Sequence, residues 1–276
     1  MRSDMTILIT GATGTVGRHL VDRLVSDGHR VRALTRDPAK ARFSPEVEVV
    51  GGDLTDVTTL SGAFAGAAAA HLITFGGDDG EDLANGDAIV DLAVRSGVRR
   101  ATVLGGWDRT SVEAALDDSP IGWTLVAAAE FMSGALEWAP EVRAGGTVST
   151  HATYPSAVVH EADIAAVAAV ALTEDGHAGK THCVTGPEAL TPAERTRLLG
   201  DALGRELAHV QLTVDQERER LRSYGYPEDY VEFGVQLATS PPGVAGEVRD
   251  TVESVTKRPA RTFAQWAAEH ADRFRP

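Results

Sequence analysis

The chain has 276 residues, enough to bury a sizeable core in one large α/β domain, or in a nucleotide-binding domain with a smaller appendage. A net charge of −14 argues against nucleic acid or an anionic membrane as partner, and the single cysteine, Cys183, excludes an intrachain disulfide and a multi-cysteine zinc site. The stretch MRSDMTILIT runs into an apolar strand without a signal-peptide core, and no window is long and apolar enough to span a bilayer, so a cytoplasmic protein with a buried thiol is expected.

Ile7, Leu8 and Ile9 form the first predicted strand, buried on both faces. Gly11, Gly14 and Gly17 follow it, then a helix with Val16, Leu20, Leu24 and Val25 on one face, stopped by Gly28. Strands are predicted at 31–34, 47–50, 69–74, 101–104 and 123–126. Helices are predicted between them: a short one carrying Leu60, Ala63 and Phe64, then 87–96 with Ile89, Leu92 and Ala93 at core spacing, then 111–116. Six βα repeats at this spacing mean an α/β fold with a doubly wound parallel sheet. Further on, helices are predicted at 163–172, 192–203 (Thr191 as cap, Pro192 in the first turn), 216–224 and 228–237, with short strands at 181–184 and 209–212. Gly145-Gly146 makes a seam. Residues 1–145 read as a dinucleotide-binding domain, and 146–276 as a mainly substrate-binding region that partly completes the sheet.

Each glycine after the first strand has a physical task. Gly11 permits the turn, Gly14 the close approach of backbone to ligand, and Gly17 the packing of helix on strand, while the helix N-terminus faces a pyrophosphate. The spacing is GxxGxxG, and its place between strand and helix makes a nucleotide the expected ligand. Ligands of open α/β sheets bind at the carboxyl ends of the strands. That rule selects Thr13, Gly14, Thr15 and Val16 with Gly11, then Arg36, then Asp53 and Leu54, then Thr74, Phe75 and Gly76, and finally Gly105 and Gly106 followed by Trp107. Arg36 at the end of the second strand suits a 2′-phosphate, so NADPH/NADP+ is expected before NAD, and Arg18 could add a second cation. Asp53 either meets the adenine amino group or caps its own turn.

GATGTVG, VRALTRDP, GDLTD, DLAVRSGVRRATVL, THCVTGPEALTPAERTRLLGDALGRELAHV and RTFAQWAAEHADRF together resemble the NmrA-like group of atypical short-chain dehydrogenases/reductases over essentially the whole chain. The resemblance implies a Rossmann-type domain for NADP(H), with a small C-terminal substrate domain over the nicotinamide. Members of the group include quinone and ketone reductases, isoflavone-type reductases and redox sensors. Ordinary short-chain reductases carry a serine after the fifth strand and a Tyr-x-x-x-Lys. This chain has Gly105-Gly106-Trp107 and no Tyr-x-x-x-Lys; Thr110 stands where relatives have lysine, and Ala127-Ala128 where they have Arg-Pro. No catalytic residue is assigned. Trp107, Phe131, Met132, Tyr154, Tyr226, Tyr230 and Phe233, with Tyr224, are candidates for a flat apolar substrate pocket. Tyr154 and His160 are proton donors by residue type only, and His71 and His151 are isolated, so no metal site is expected. The expected activity is NADPH-dependent reduction of a polycyclic aromatic ketone, of the angucyclinone polyketide type, or of a quinone. The alternative is a non-catalytic NADP(H) sensor. The expected partner is this small aromatic substrate, with no nucleic acid and no membrane.

Overall fold

The computed structural model describes residues 5–76, 81–106, 108–128, 130–241 and 243–276. In chain order the elements are β1 (Thr6–Ile9), α1 (Thr15–Ser26), β2 (Arg30–Thr35), β3 (Glu48–Gly51), α2 (Ser61–Phe64), β4 (Ala67–Leu72), β5 (Phe75–Gly76), β6 (Glu81–Asp82), α3 (Gly86–Arg95), β7 (Arg100–Gly105), α4 (Ser111–Asp117) and β8 (Gly122–Ala127). They continue with a 3-10 stretch (Met132–Trp138), α5 (Ala139–Gly145), β9 (Thr147–Thr150), α6 (Glu161–Thr173), β10 (Thr181–Cys183), α7 (Pro192–Leu203), β11 (Ala208–Gln211), α8 (Val214–Ser223), α9 (Glu228–Thr239), α10 (Thr251–Thr256) and α11 (Phe263–Glu269). Two compact units result, neither continuous in sequence. The first holds Met1–Ala128, Glu161–Val184 and Thr251–Arg258; the second holds Ala129–His160, Thr185–Asp250 and Pro259–Pro276. Gly145 and Gly146 make no seam. They end α5 inside the second unit, where Gly146 takes a φ of 68° and caps the helix, the ordinary use of glycine after a last turn.

The first unit is built on seven parallel strands in the order β10-β8-β7-β4-β1-β2-β3. Six were expected in succession; the seventh, β10, comes from much later in the chain and pairs with β8. Its place at the sheet edge leaves Cys183 half-buried instead of buried. Leu8, Leu34, Ala70, Leu72, Ala101 and Val103 point to one face and meet Phe64, Ile89, Val90 and Val112 of α2, α3 and α4. On α1, Leu20, Val21 and Leu24 are buried, and this helix packs against α6, which is buried almost all round. Strand order reverses beside β1, since β2 lies on one side of it and β4 on the other. That is the switch point where an α/β sheet opens a crevice.

Strand β4 starts and stops two residues before the expected 69–74. Thr10 causes the early end: its hydroxyl donates to the His71 carbonyl at 3.0 Å and accepts the Ile73 N–H at 2.9 Å, drawing the chain off the ladder. Phe75–Gly76 then pairs antiparallel with Glu81–Asp82, a hairpin with no alternating run to announce it.

In the second unit β9 and β11 form a parallel pair, again from distant segments. Its main core joins Met132, Trp138, Val142, Leu199, Phe263, Trp266 and Phe274, with the Trp266 ring stacked 4.4 Å from that of His270. Helix α7 spans the expected residues, and Thr191 and Glu194 satisfy each other's backbone N–H groups in a capping box. A smaller cluster of Leu221, Val231 and Val235 holds α8 to α9.

Candidate functional site

The turn after β1 is shaped by what it leaves no room for. Gly11 has a φ of +59°, and a Cβ there would lie 2.8 Å from the Ile73 side chain. The Gly14 N–H donates to the Gly11 carbonyl at 2.9 Å, closing the turn. A Cβ on Gly17 would fall 2.1 Å from the Gly11 carbonyl oxygen and 2.9 Å from Ala12 Cα, so the first turn of α1 admits no side chain at that point. Helix α1 begins with Gly14 as its cap, without a capping side chain and without an acid in the first turn. Its free N–H groups and positive dipole end are therefore not neutralised by the protein, which is the arrangement that attracts an anion.

This turn opens into a cleft of about 660 Å³ in the first unit. Eight of the expected site residues line it: Gly11, Thr13, Gly14, Arg36, Asp53, Leu54, Phe75 and Gly76. Arg18 and Lys40 line it too, so three cations surround one cavity. The Arg18 Nε donates to the Thr13 carbonyl at 2.7 Å, which stiffens the glycine turn. Lys40 pairs with Asp37 at 3.0 Å, and the hydrogen bond from Lys40 holds the Asp37 carboxyl below its ordinary range. Lys40 was not anticipated. The one hint is its place four residues after Arg36 in RDPAK, and a surface loop lysine carries no signal until the loop is seen to turn back to the cleft. One oxygen of Asp53 accepts the Thr55 N–H at 2.9 Å and the Thr55 hydroxyl at 2.8 Å. These bonds, followed by the charge of Arg36, lower its pKa. Asp53 thus caps its own turn.

The other expected cofactor residues stand apart from the cleft lining. Thr15 is exposed on the first turn of α1, whereas Val16 and Thr74 are buried, the Thr74 carbonyl accepting the Leu83 N–H at 2.8 Å. Gly105 is the buried last residue of β7, and a Cβ there would come within 2.4 Å of Leu125 Cδ1; contact with the neighbouring strand accounts for this glycine. Gly106 is exposed just beyond it, and Trp107 lies outside the described residues.

Residues 3–103 match the model of the NmrA-like family. The chain is 37% identical, over 98% of its length and 99% of the other protein, to a (4-alkanoyl-5-oxo-2,5-dihydrofuran-3-yl)methyl phosphate reductase of Streptomyces griseus subsp. griseus. It is 34% identical to an NAD(P)H azoreductase of Xenophilus azovorans, over 97% of this chain and 99% of that one. The chain belongs to the NmrA-like family. Its fold is that of a solved NADPH-dependent quinone oxidoreductase from Escherichia coli in complex with NADPH, with a TM-score of 0.81 at 24% identity over 96% of this chain and 99% of that one.

Thr110, where the resemblance implied a lysine, has a structural task here. The Thr110 N–H and hydroxyl both donate to the buried Glu113 carboxylate, at 2.7 and 3.0 Å, and cap α4. His71 is fully buried, with Nδ1 2.9 Å from the Thr102 hydroxyl, and burial pushes its pKa down to about 4. Among the described residues no three His, Cys, Asp or Glu side chains gather as a metal site needs, and no helix is long and apolar enough to cross a membrane.

The candidate substrate residues divide within the second unit. Tyr226 and Tyr230 have ring centroids 4.4 Å apart, with Tyr224 and Phe233 continuing the cluster at 6.2 and 6.5 Å; Tyr230 and Phe233 are nearly half exposed. The Tyr226 hydroxyl donates to Glu137 at 2.9 Å. Met132 is not with them: it is buried in the main core of this unit. Phe131 begins the 3-10 stretch and bridges to Val159. The Tyr154 hydroxyl donates to the Leu237 carbonyl at 3.1 Å, and burial raises its pKa, unlike that of a poised acid. The buried His160 pairs with Glu269 at 3.2 Å, and His151 donates from Nδ1 to the Leu212 carbonyl, so both rings are engaged with protein groups.

Proposed function

We propose that the protein is an NADPH-dependent reductase whose acceptor is an aromatic ketone or quinone, a compound whose reduced form is a stabilised oxyanion. The observation that carries this reading is the cleft of the first unit, where the glycine turn, the uncapped start of α1 and three cations meet. The residues present fit a phosphorylated dinucleotide. Gly11 and Gly17 let the turn close on Ile73 and on its own backbone, Gly14 presents the cleft with a residue that has no side chain, and the α1 N–H groups supply donors for a pyrophosphate. Arg36 and Lys40 hold a 2′-phosphate, with Asp37 keeping the Lys40 ammonium near Arg36, and Arg18 braces the turn. Leu34, Leu54 and Ile73 supply apolar wall for the adenosine half. When bound, the cofactor supplies a hydride.

The absence of the usual tyrosine and lysine then has a chemical reading. An isolated ketone becomes an alkoxide on hydride addition and needs a proton donor in place. A quinone becomes a phenolate-like anion of pKa about 10, basic enough to be protonated by water yet stable enough to form without a general acid. A ketone hydrogen-bonded to its own neighbouring phenol behaves similarly. The half-exposed cluster of Tyr224, Tyr226, Tyr230 and Phe233 suits a flat aromatic ligand, and relatives named for azo-compound and quinone reduction support acceptors of this kind. The angucyclinone-type ketone is the narrowest form of the proposal, and the Streptomyces griseus relative, named as a reductase of an alkanoyl-oxo-dihydrofuranyl methyl phosphate, supports reduction of a small oxygenated ring compound.

The test is NADPH oxidation, followed by loss of its near-ultraviolet absorbance, against quinones, phenolic polycyclic ketones and isolated ketones. Turnover of the first two classes and not of the third is expected. Turnover of isolated ketones alone overturns the acceptor assignment, and tight NADPH binding without turnover across the panel leaves a sensor.

A further inference from the structure

Asn85 stands where a helix normally takes its cap, yet its side chain makes no bond to α3. Its Nδ2 instead donates at 2.8 Å to the carbonyl of Leu54, 31 residues away and in the lining of the cleft, while its buried Oδ1 has no hydrogen-bond partner among the described residues. Both the forgone cap and the orphaned acceptor are costs, and groups that carry such costs call for an explanation beyond local stability.

The mount of this side chain is stiff. The next residue, Gly86, is pressed against the start of α4, since a Cβ there would fall 2.3 Å from the Ser111 carbonyl carbon and 2.4 Å from the Val112 nitrogen. The Gly86 N–H donates to the Ser111 hydroxyl at 3.2 Å, and that hydroxyl donates to the Leu83 carbonyl. The Leu83 N–H in turn donates to the Thr74 carbonyl at 2.8 Å, and Leu83 closes on Gly76 in the cleft wall. The α3–α4 junction therefore grips the lining from two directions, through Asn85 at Leu54 and through Leu83 at Thr74–Gly76.

We propose that Asn85 is a positioning residue, which sets the Asp53–Leu54 turn at the depth that the adenosine half of the dinucleotide requires. The proposal rests on the cofactor reading above. It assigns affinity for that half to a side chain that touches no ligand.

The experiment measures binding of NADPH, adenosine 2′,5′-bisphosphate and reduced nicotinamide mononucleotide to the unsubstituted chain and to Asn85→Ala and Asn85→Asp. The second variant keeps size and loses the donor. Both should bind NADPH and the bisphosphate about tenfold more weakly, the scale of one lost hydrogen bond, with the mononucleotide unchanged. Ser111→Ala, which loosens the mount, should give a smaller loss with the same pattern and serves if the Asn85 variants do not fold. Unchanged bisphosphate affinity in folded variants overturns the proposal, as does an equal loss for all three ligands, which means general damage. No NADPH binding by the unsubstituted chain overturns the cofactor reading itself.

Discussion

The two units build their candidate surfaces from different materials. In the first, the cleft is organised by backbone, namely the glycine turn, a helix start and strand ends, with Arg18, Arg36 and Lys40 contributing charge and Leu34, Leu54 and Ile73 an apolar wall. In the second, side chains do the work. Four aromatic rings from α9 and the connection that precedes it sit in a frame of ion pairs, including Arg218–Glu232 at 2.6 Å and Arg220–Glu217 at 2.6 Å. A backbone site recognises what all dinucleotides share, and cannot change without breaking the turn. A side-chain surface on two helices can vary residue by residue, which is how one fold serves different acceptors.

The sharpest way to break this comparison is Gly17→Ala. A methyl 2.1 Å from the Gly11 oxygen cannot be accommodated, so a loss of at least about 3 kcal/mol is expected in chemical denaturation, with the cleft lost. A denaturation curve matching that of the unsubstituted chain would show that the turn is not as tight as described.

Next comes His71 in the first unit. Its folded-state pKa of about 4 lies below the ordinary value of 6.5, so the unfolded chain takes up a proton first as pH falls. Stability should thus be full above pH 6.5 and decline toward pH 4, by up to about 3 kcal/mol, with no further loss from this group below that. In His71→Gln that part of the pH dependence should vanish, as urea titrations at pH 7 and pH 4.5 would reveal.

Arg36→Ala should weaken NADPH binding by about 2 kcal/mol, and NADH binding much less, in calorimetry. Equal losses would remove the 2′-phosphate assignment. The smallest effect belongs to the second unit. Burial, then the bond to Glu137, pushes the Tyr226 pKa up to about 12, so in a spectroscopic titration Tyr226 should be among the tyrosines that ionise late, with Tyr154 and Tyr230, which burial also raises. Tyr226→Phe should reduce the late amplitude by one tyrosine and cost about 1 kcal/mol of stability, leaving cofactor affinity intact. A change in cofactor affinity would show that the two surfaces do not act independently.

Much of this was legible from residue order. The path from β1 through the glycines to α1 depends on neighbours within a dozen residues, and so does the capping of α7 by Thr191 and Glu194. Arg36 and Asp53 could be placed at strand ends because the strands themselves carry an apolar pattern. Met132 could not be told from a pocket residue, because an apolar side chain serves a core and a pocket alike.

By itself, then, the sequence determined the parallel α/β architecture, the nucleotide turn and a positive charge after β2, all consequences of periodicity, glycine geometry and residue type over short spans. Tertiary structure alone decided that β10 returns to complete the sheet, that each unit gathers three separate stretches of the chain, that Lys40 comes back to the cleft and that Asn85 abandons its own helix for Leu54. Each of these joins groups far apart in the chain or on a loop without periodicity. Whether such bonds form depends on where folding brings their partners, which no local pattern encodes.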